Sequence, residues 1–272
     1  MGATAAMWLP VVRELALRGA RSIPVELPGH GFDTHFPDGY ACPQDLDRLS
    51  VAPSPIAHLG LDDYAGHVLD LVRAAATNGP VVLVGHSLGG NVVTRVANEA
   101  PELLSRMIYI CAYCCVQGEN VMAYAPRDLD PAGPLARARQ LTWIGDPRTT
   151  GASRSNPRLG DPEVLDVQQA LMMADLDRDR VPATLAYGLQ PDEPIAAVAG
   201  SAQINPVRWG TVPRTYVKTT SDQVIPPALQ EQMISEGDAA TQGNAFTVAE
   251  IDASHLVPLT RPADVAEVLL AE

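Results

Sequence analysis

Short aliphatic runs alternate along this chain with segments whose apolar residues recur every three or four positions. The runs at 21–27, 81–85, 106–111, 214–220 and 245–251 mix Val, Ile, Leu and Tyr without strict alternation, which suits strands covered on both faces. The segments between them read as the covering helices. One near the start places Trp8, Val12 and Leu15 on a stripe and stops at Gly19. A second, capped by Asp62, carries Leu61, Tyr64, Val68, Leu71 and Val72. A third carries Val92, Val93, Val96 and Ala97 and halts near Pro101; the last starts from a Thr260 cap and buries Val265, Val268 and Leu269. This order predicts an α/β fold, a mostly parallel sheet with helices on both faces.

Residues 116–212 break the rhythm. They are rich in Pro, Gly, Ala and Arg, with a helical pattern at 161–176 and no run that reads as a parallel strand. The expectation is a helical lid inserted over one end of the sheet, with 1–115 and 213–272 forming the core. Neither an internal repeat nor a low-complexity linker is visible.

Composition narrows the function classes. A chain of 272 residues fits one large domain, or one domain with an insertion, and is long enough to bury a core without disulfides. Nineteen basic residues against thirty-two acidic ones give a net charge of −13. That balance argues against nucleic acid, an anionic membrane surface or an acidic carrier protein as partner. No stretch approaches the ~20 apolar residues of a membrane span. The start has no basic residue ahead of its apolar part, so it is a poor secretory signal. Cys42, Cys111, Cys114 and Cys115 lack the second paired-cysteine motif of a zinc site, and "CAYCC" reads as a buried strand end. The expected compartment is the cytoplasm, and the cysteines give no expectation of a metal site; a homodimer is compatible with the sequence but not required by it.

Chemistry concentrates in "VVLVGHSLGGNVV", residues 81–93, where Gly85-His86-Ser87-Leu88-Gly89 fits G-x-S-x-G between a predicted strand and a predicted helix. A turn this tight forces its serine into a strained backbone conformation and projects the hydroxyl from the carboxyl edge of the sheet. Gly85 and Gly89 leave room for strand and helix to close, and the Leu88 N–H stands where charge develops on a substrate carbonyl. The plainer reading is a glycine-rich turn whose serine only caps the helix.

A serine hydroxyl needs a base, and in this architecture the order is serine, acid, histidine. Of six histidines only His255 follows Ser87, in a loop between the last strand and the last helix. Asp222, at the end of the penultimate strand, is the favoured acid, placed to accept from His255 Nδ1. Asp252 is its rival, although three residues before His255 it suits shaping its own loop. His86 suits packing and hydrogen bonding rather than a second base.

Together "VELPGHG" (25–31), "VGHSLGG" (84–90), "PRTYVKTTSDQVIPPALQEQMI" (213–234) and "SHLVPLTRP" (254–262) resemble the α/β-hydrolase superfamily over nearly the whole chain. The acid and histidine segments resemble those of the branch holding the plant methylesterases, the hydroxynitrile lyases and related bacterial esterases. This resemblance implies a serine hydrolase of carboxylic esters, lactones or thioesters, working on a small acyl substrate through an acyl-serine without metal or cofactor. Leu256 stands where the hydroxynitrile lyases of this branch carry a lysine, which disfavours cyanohydrin cleavage; Ser87 argues against the aspartate-nucleophile chemistries of the fold. Against that resemblance the expectation is that early strands are absent from this sequence, including the one ending in His-Gly whose following loop gives the second oxyanion amide, so that either the true start lies upstream or the sheet closes differently with an incomplete oxyanion hole. The resemblance implies that Gly2, Ala3 and Thr4 stand for that loop, so Ala3 and Thr4 join Leu88 as the expected oxyanion donors.

Two other readings stay open: a hydrolase-like small-molecule binding protein with impaired chemistry, and an acyl transferase or cyclase using the same site. Trp143, Met172, Met173, Leu176 and Trp209 either line an apolar lid pocket or pack the lid onto the sheet; Trp143, Met172 and Trp209 are the named substrate-binding candidates. Arg137, Arg139, Arg148, Arg154 and Arg158 make the lid locally basic, either as a solvated face or as an attraction for an anionic substrate.

Overall fold

Two strands buried along nearly their whole length form the centre of the molecule, and everything that positions the serine hangs from them. The structure, a computed structural model, describes residues 2–124, 133–156 and 161–271. Helices α1 (Leu9–Leu17), α2 (Leu46–Val51) and α3 (Leu61–Ala76) lead to β1 (Val81–His86), and α4 (Gly89–Glu99) leads to β2 (Leu104–Ile110). The chain then passes through α5 (Pro134–Thr142), α6 (Pro147–Thr150), β3 (Ala152–Arg154), α7 (Pro162–Met172), α8 (Val181–Gly188), β4 (Asp192–Pro194) and α9 (Ile195–Ala199). It returns as β5 (Arg214–Thr219), α10 (Pro227–Ala240), β6 (Thr247–Ile251), α11 (Val257–Thr260) and α12 (Pro262–Leu270).

The main sheet runs β1-β2-β5-β6, every pair parallel. Side-chain alternation along β2 explains its two covers. Met107 and Tyr109 join a core with Tyr64, Val68 and Val72 of α3, Val92, Val93 and Val96 of α4, and Met233 of α10. Ile108 and Ile110 point the other way, to Val11 and Leu15 of α1, Val217 of β5, Ile251 of β6 and Val265 of α12. Each such aliphatic side chain contributes about 1.5–3 kcal/mol on burial, so both layers are needed to hold the central strands dry. The border strands are less covered: β1 buries only Leu83 and Gly85, and β6 only Ile251, as strands with one free edge should.

The predicted strand at 21–27 does not form. The segment is extended, but its residues make no backbone ladder with any described strand, and Ile23 is exposed. A strand is defined by its partner, and here β1 ends the sheet with no neighbour on its outer side among the described residues. Among the described residues, both the 21–27 segment and the outer edge of β1 are without a strand partner.

Smaller expectations also shift. Gly60, not Asp62, is the cap of α3; the Asp63 carboxylate accepts the Gly60 N–H at 2.7 Å, and Asp62 instead pairs with Arg95. The first stripe buries Val11 and Leu15 rather than Val12. Thr260 closes α11, and α12 starts one residue later than a Thr260 cap would place it, with Arg261 at its N-cap and Pro262 at its first position.

Trp209 belongs to the core, which corrects its assignment as a substrate-binding residue. It is fully buried, its Nε1–H donates to Tyr109 Oη at 2.9 Å, and its ring meets the Phe246 edge at 5.8 Å. The Arg214 guanidinium lies over the same indole at 4.1 Å. An indole enclosed between β2, β5 and α10 has no face left for a ligand.

Between β2 and β5, β3 and β4 form a two-stranded antiparallel pair. Arg154 on β3 forks onto Asp192 of β4 at 2.6 and 2.8 Å, and its remaining Nη1 donates to the carbonyl oxygens of Leu49 and Ala52. This bidentate, fully buried pair fastens the excursion to α2 and its following turn.

Candidate active site

Ser87 follows β1 with φ 54°, a left-handed conformation that an L-serine adopts only where its surroundings impose it. What imposes it is close approach. A Cβ on Gly85 would stand 2.7 Å from Gly89 O and from a Val93 methyl; one on Gly90 would stand 2.1 Å from Tyr113 O. Gly89, expected to share this role, has open space where its Cβ would be. Gly85 and Gly90 are therefore the glycines that let strand, helix and the Tyr113 backbone converge. Beneath the turn, Ser87 N–H donates to Ile110 O at 3.3 Å and Tyr113 N–H to Ser87 O at 3.0 Å, so the strained residue is tied to the end of β2.

The geometry brings the three predicted side chains together. His255 Nε2 lies 2.9 Å from Ser87 Oγ, and His255 Nδ1 lies 2.7 Å from Asp222 Oδ2. A carboxylate can only accept, so Nδ1 carries the imidazole proton and Nε2 presents its lone pair to the serine O–H. Asp222 is wholly buried, accepts the amides of Val224 and Ile225 at 2.7 and 2.9 Å on Oδ1, and takes the Thr219 hydroxyl at 3.2 Å on Oδ2. Burial opposes its ionisation, but the His255 charge, the hydrogen bond to His255 and the two amides outweigh that and hold its carboxyl below the usual range. Asp252 is exposed and accepts from Thr220 and Ser221 hydroxyls at 2.7 and 3.3 Å, shaping its own loop.

Sequence reasoning missed the residues that hold this relay in place. Gln230 of α10, fully buried, receives the Thr219 N–H at 3.1 Å and gives its amide to Ile225 O at 2.7 Å, bracing the Asp222 turn from below. Its signal was a polar residue on the buried stripe shared with Met233 and Gly237. The His255 loop is fastened to the end of α7: Met172 O accepts Leu256 N–H at 2.8 Å and Ser254 Oγ at 3.2 Å. Met172 thus reaches the site through its backbone, while its side chain packs beside Leu165, Met173 and Leu256. Trp143 is 40% exposed at the end of α5.

His86 and Cys111 converge on one atom. His86 Nε2 is 2.8 Å from the His255 carbonyl oxygen and Cys111 Sγ 3.4 Å from it. A carbonyl accepts only, so His86 is the Nε2–H tautomer. The ligand atoms of His86, Cys111 and His255 all lie within 4.8 Å of one another, but each already serves a hydrogen bond in the site.

Burial first, and the neighbouring His255 charge second, push the His86 pKa from 6.5 down to about 3. The unfolded chain therefore takes up a proton near 6.5 that the fold refuses until about 3, so stability falls as pH drops through that window. His86→Gln keeps an amide donor and removes the titration. Urea unfolding at pH 7 and pH 4 should show the variant losing on the order of 2–3 kcal/mol less than the unmutated protein. Equal losses would mean that His86 protonates without cost.

Of the expected oxyanion donors, Thr4 is already engaged: its N–H donates to Gly188 O at 3.0 Å and its hydroxyl to Tyr187 O at 3.0 Å. Ala3 faces Leu189 in an antiparallel bridge whose flanking bonds are made by Thr4 and Gln190, and neither the Ala3 nor the Leu88 N–H has an acceptor among the described residues. Two carboxylates hold this segment: Glu193 Oε2 accepts the Gly2 N–H at 2.7 Å and Glu26 Oε1 the Ala5 N–H at 3.0 Å. Glu193 itself is buried beside His30 and Tyr64. No local signal marks Glu26 or Glu193, because each acts on residues distant in sequence.

A family model described as the alpha/beta hydrolase family matches residues 1–268. The pyrethroid hydrolase of Sphingobium wenxiniae is 26% identical over 261 residues, covering 89% of this chain and 78% of that protein. Methylesterase 18 of Arabidopsis thaliana is 24% identical over 279 residues, covering 97% and 90%. The chain spans 58% of a chloroplastic Arabidopsis thaliana relative, methylesterase-like by name, at 23% identity over 229 residues. Among solved structures, polyneuridine aldehyde esterase superposes with a TM-score of 0.73 at 18% identity, over 99% of this chain and 94% of that one. A pyrethroid hydrolase gives 0.72 at 20%, over 98% and 92%. No described helix is long and apolar enough to cross a membrane.

Proposed function

The chain belongs to the alpha/beta hydrolase family and is a hydrolase with esterase-type relatives; from that premise we propose that it cleaves a small carboxylic ester, lactone or thioester through an acyl-serine. Ser87 Oγ attacks the acyl carbon as His255 Nε2 takes its proton; the C=O π pair moves to the carbonyl oxygen. That oxygen is held by the Leu88 N–H at the start of α4 and by the Ala3 N–H. The tetrahedral adduct collapses, His255 returns the proton to the leaving alcohol, and water repeats the cycle to free the acid. Asp222 keeps the imidazole in the required tautomer and stabilises the imidazolium. Residues 116–212 serve as the lid that shapes the substrate pocket.

The single observation that carries this reading is the continuous hydrogen-bonded path from Ser87 Oγ through His255 to a buried Asp222, at 2.9 and 2.7 Å. The strained serine backbone supports it, since a serine serving only as a helix cap needs no positive φ. A fluorophosphonate probe tests it: the protein should be labelled at Ser87 at neutral pH. Failure to label, together with no turnover of short-chain nitrophenyl esters, would overturn it.

A further inference from the structure

The arginines expected to make the excursion between β2 and β5 basic are engaged locally. Arg137 pairs with Glu163, Arg148 with Asp146 at 2.7 Å and Arg154 with Asp192 at 2.6 Å; Arg139 lies over the Trp143 ring at 4.8 Å, and Arg158 lies outside the described residues. What the excursion brings to the relay of Ser87, His255 and Asp222 is an acid. Asp175 stands in the turn after α7, and its Oδ1 accepts both the N–H of Ser254, at 3.3 Å, and the Ser254 hydroxyl. Met172 O shares that hydroxyl at 3.2 Å, the closer and charged acceptor being the carboxylate. Ser254 is buried and directly precedes His255.

Residues 253–256 alternate between two supports. Ala253 O takes the Ser221 N–H at 3.1 Å and His255 O the His86 Nε2–H at 2.8 Å, both on the sheet side. Ser254 and Leu256 turn to the excursion, the first to Asp175 and the second to Met172 O at 2.8 Å. The turn that presents Asp175 is itself braced: Leu176 N–H donates to Met173 O at 2.9 Å, and the Gln169 side-chain amide donates to Leu176 O at 2.7 Å. Leu176 and Leu256 share one buried apolar cluster. Asp175 is exposed, so packing does not call for its side chain. What the carboxylate supplies is two aimed, charge-assisted hydrogen bonds to the residue beside the histidine. A general base tolerates little error in its placement, since a shift of about 1 Å can cost about a hundredfold in rate.

We propose that Asp175 is a positioning residue for the histidine: by gripping Ser254 it holds His255 Nε2 in line with Ser87 Oγ, so that a side chain of the excursion acts on kcat rather than on substrate affinity. This rests on the acyl-serine reading above.

The test follows hydrolysis of a short-chain nitrophenyl ester at neutral pH, with melting curves confirming that each variant is folded. Asp175→Ala should lower kcat about tenfold to a hundredfold and leave KM within about twofold. Asp175→Asn keeps an oxygen where Oδ1 stands and should recover most of that loss. Ser254→Ala breaks the same link from its other end, so its loss and that of Asp175→Ala should not multiply in the double variant. A second arm needs no turnover: by NMR, the Ser254 amide should exchange with solvent about tenfold faster in Asp175→Ala and at the unmutated rate in Asp175→Asn. A folded Asp175→Ala protein with unchanged kcat, a loss carried by KM alone, losses that multiply, or an Asp175→Asn protein as slow as Asp175→Ala would each overturn the proposal. Inertness of the unmutated protein toward both the ester and the fluorophosphonate probe would instead sink the acyl-serine reading. The exchange arm would then still decide whether Asp175 grips the histidine loop, and an unchanged Ser254 rate in Asp175→Ala would show that it does not.

Discussion

Replacing Ser87 by alanine is expected to lower kcat toward a short ester by about 10⁵–10⁶-fold and to abolish fluorophosphonate labelling. The size follows from the relay acting as a unit. Without Oγ, the His255 lone pair has no proton to take, and the alignment of His255 with Asp222 serves nothing. Some rate over water should survive, because the proposed oxyanion donors Leu88 and Ala3 are untouched by the substitution. Alanine keeps a Cβ at φ 54°, so the backbone strain stays and melting should barely move. Steady-state kinetics with active-site titration of the unmutated protein checks the prediction; a variant retaining a tenth of the rate would exclude an acyl-serine.

Asp222→Asn should cost about 10³–10⁴-fold in kcat/KM, from a substitution that barely alters shape. The direction is set by the surrounding hydrogen bonds. The amides of Val224 and Ile225 both point at Oδ1, so the asparagine oxygen must sit there and its NH₂ must face His255. An NH₂ donates where the carboxylate accepted. His255 Nδ1 then has to accept, the proton moves to Nε2, and the imidazole can no longer receive the serine proton. Nitrogen-15 chemical shifts of the His255 ring should show the tautomer reversed. An Asn variant within tenfold of the unmutated rate would mean that Asp222 only packs the turn.

The relay was legible in the sequence because its signals are local. A glycine-flanked serine after an aliphatic run, the single histidine downstream of it, and an acid after the penultimate strand needed only order and spacing. The parallel sheet was legible for the same reason, and β2 and β5 read as doubly covered strands because they are. What failed depends on partners. Residues 21–27 have strand composition, yet a strand exists only beside another strand, and composition does not reveal that no described strand lies alongside. Trp209 looked like a pocket residue because an indole suits pockets and cores equally; only Tyr109 Oη and the Arg214 guanidinium decide between them. Thr4 looked like an amide donor until the Gly188 carbonyl was found to hold it. Gly89 fitted the motif, but Gly90 is where the Tyr113 backbone comes close.

The short bridge between Ala3 and Leu189 has a consequence for the order in which the protein assembles. Its partners are separated by most of the chain, so closing it carries a high entropic cost and comes late relative to nearby contacts. The elbow, by contrast, draws on β1, α4 and β2, which are neighbours in sequence. The elbow around Ser87 would therefore form well before the Ala3 segment docks against Leu189, so a contact that shapes the surroundings of the serine arrives after the serine's own turn.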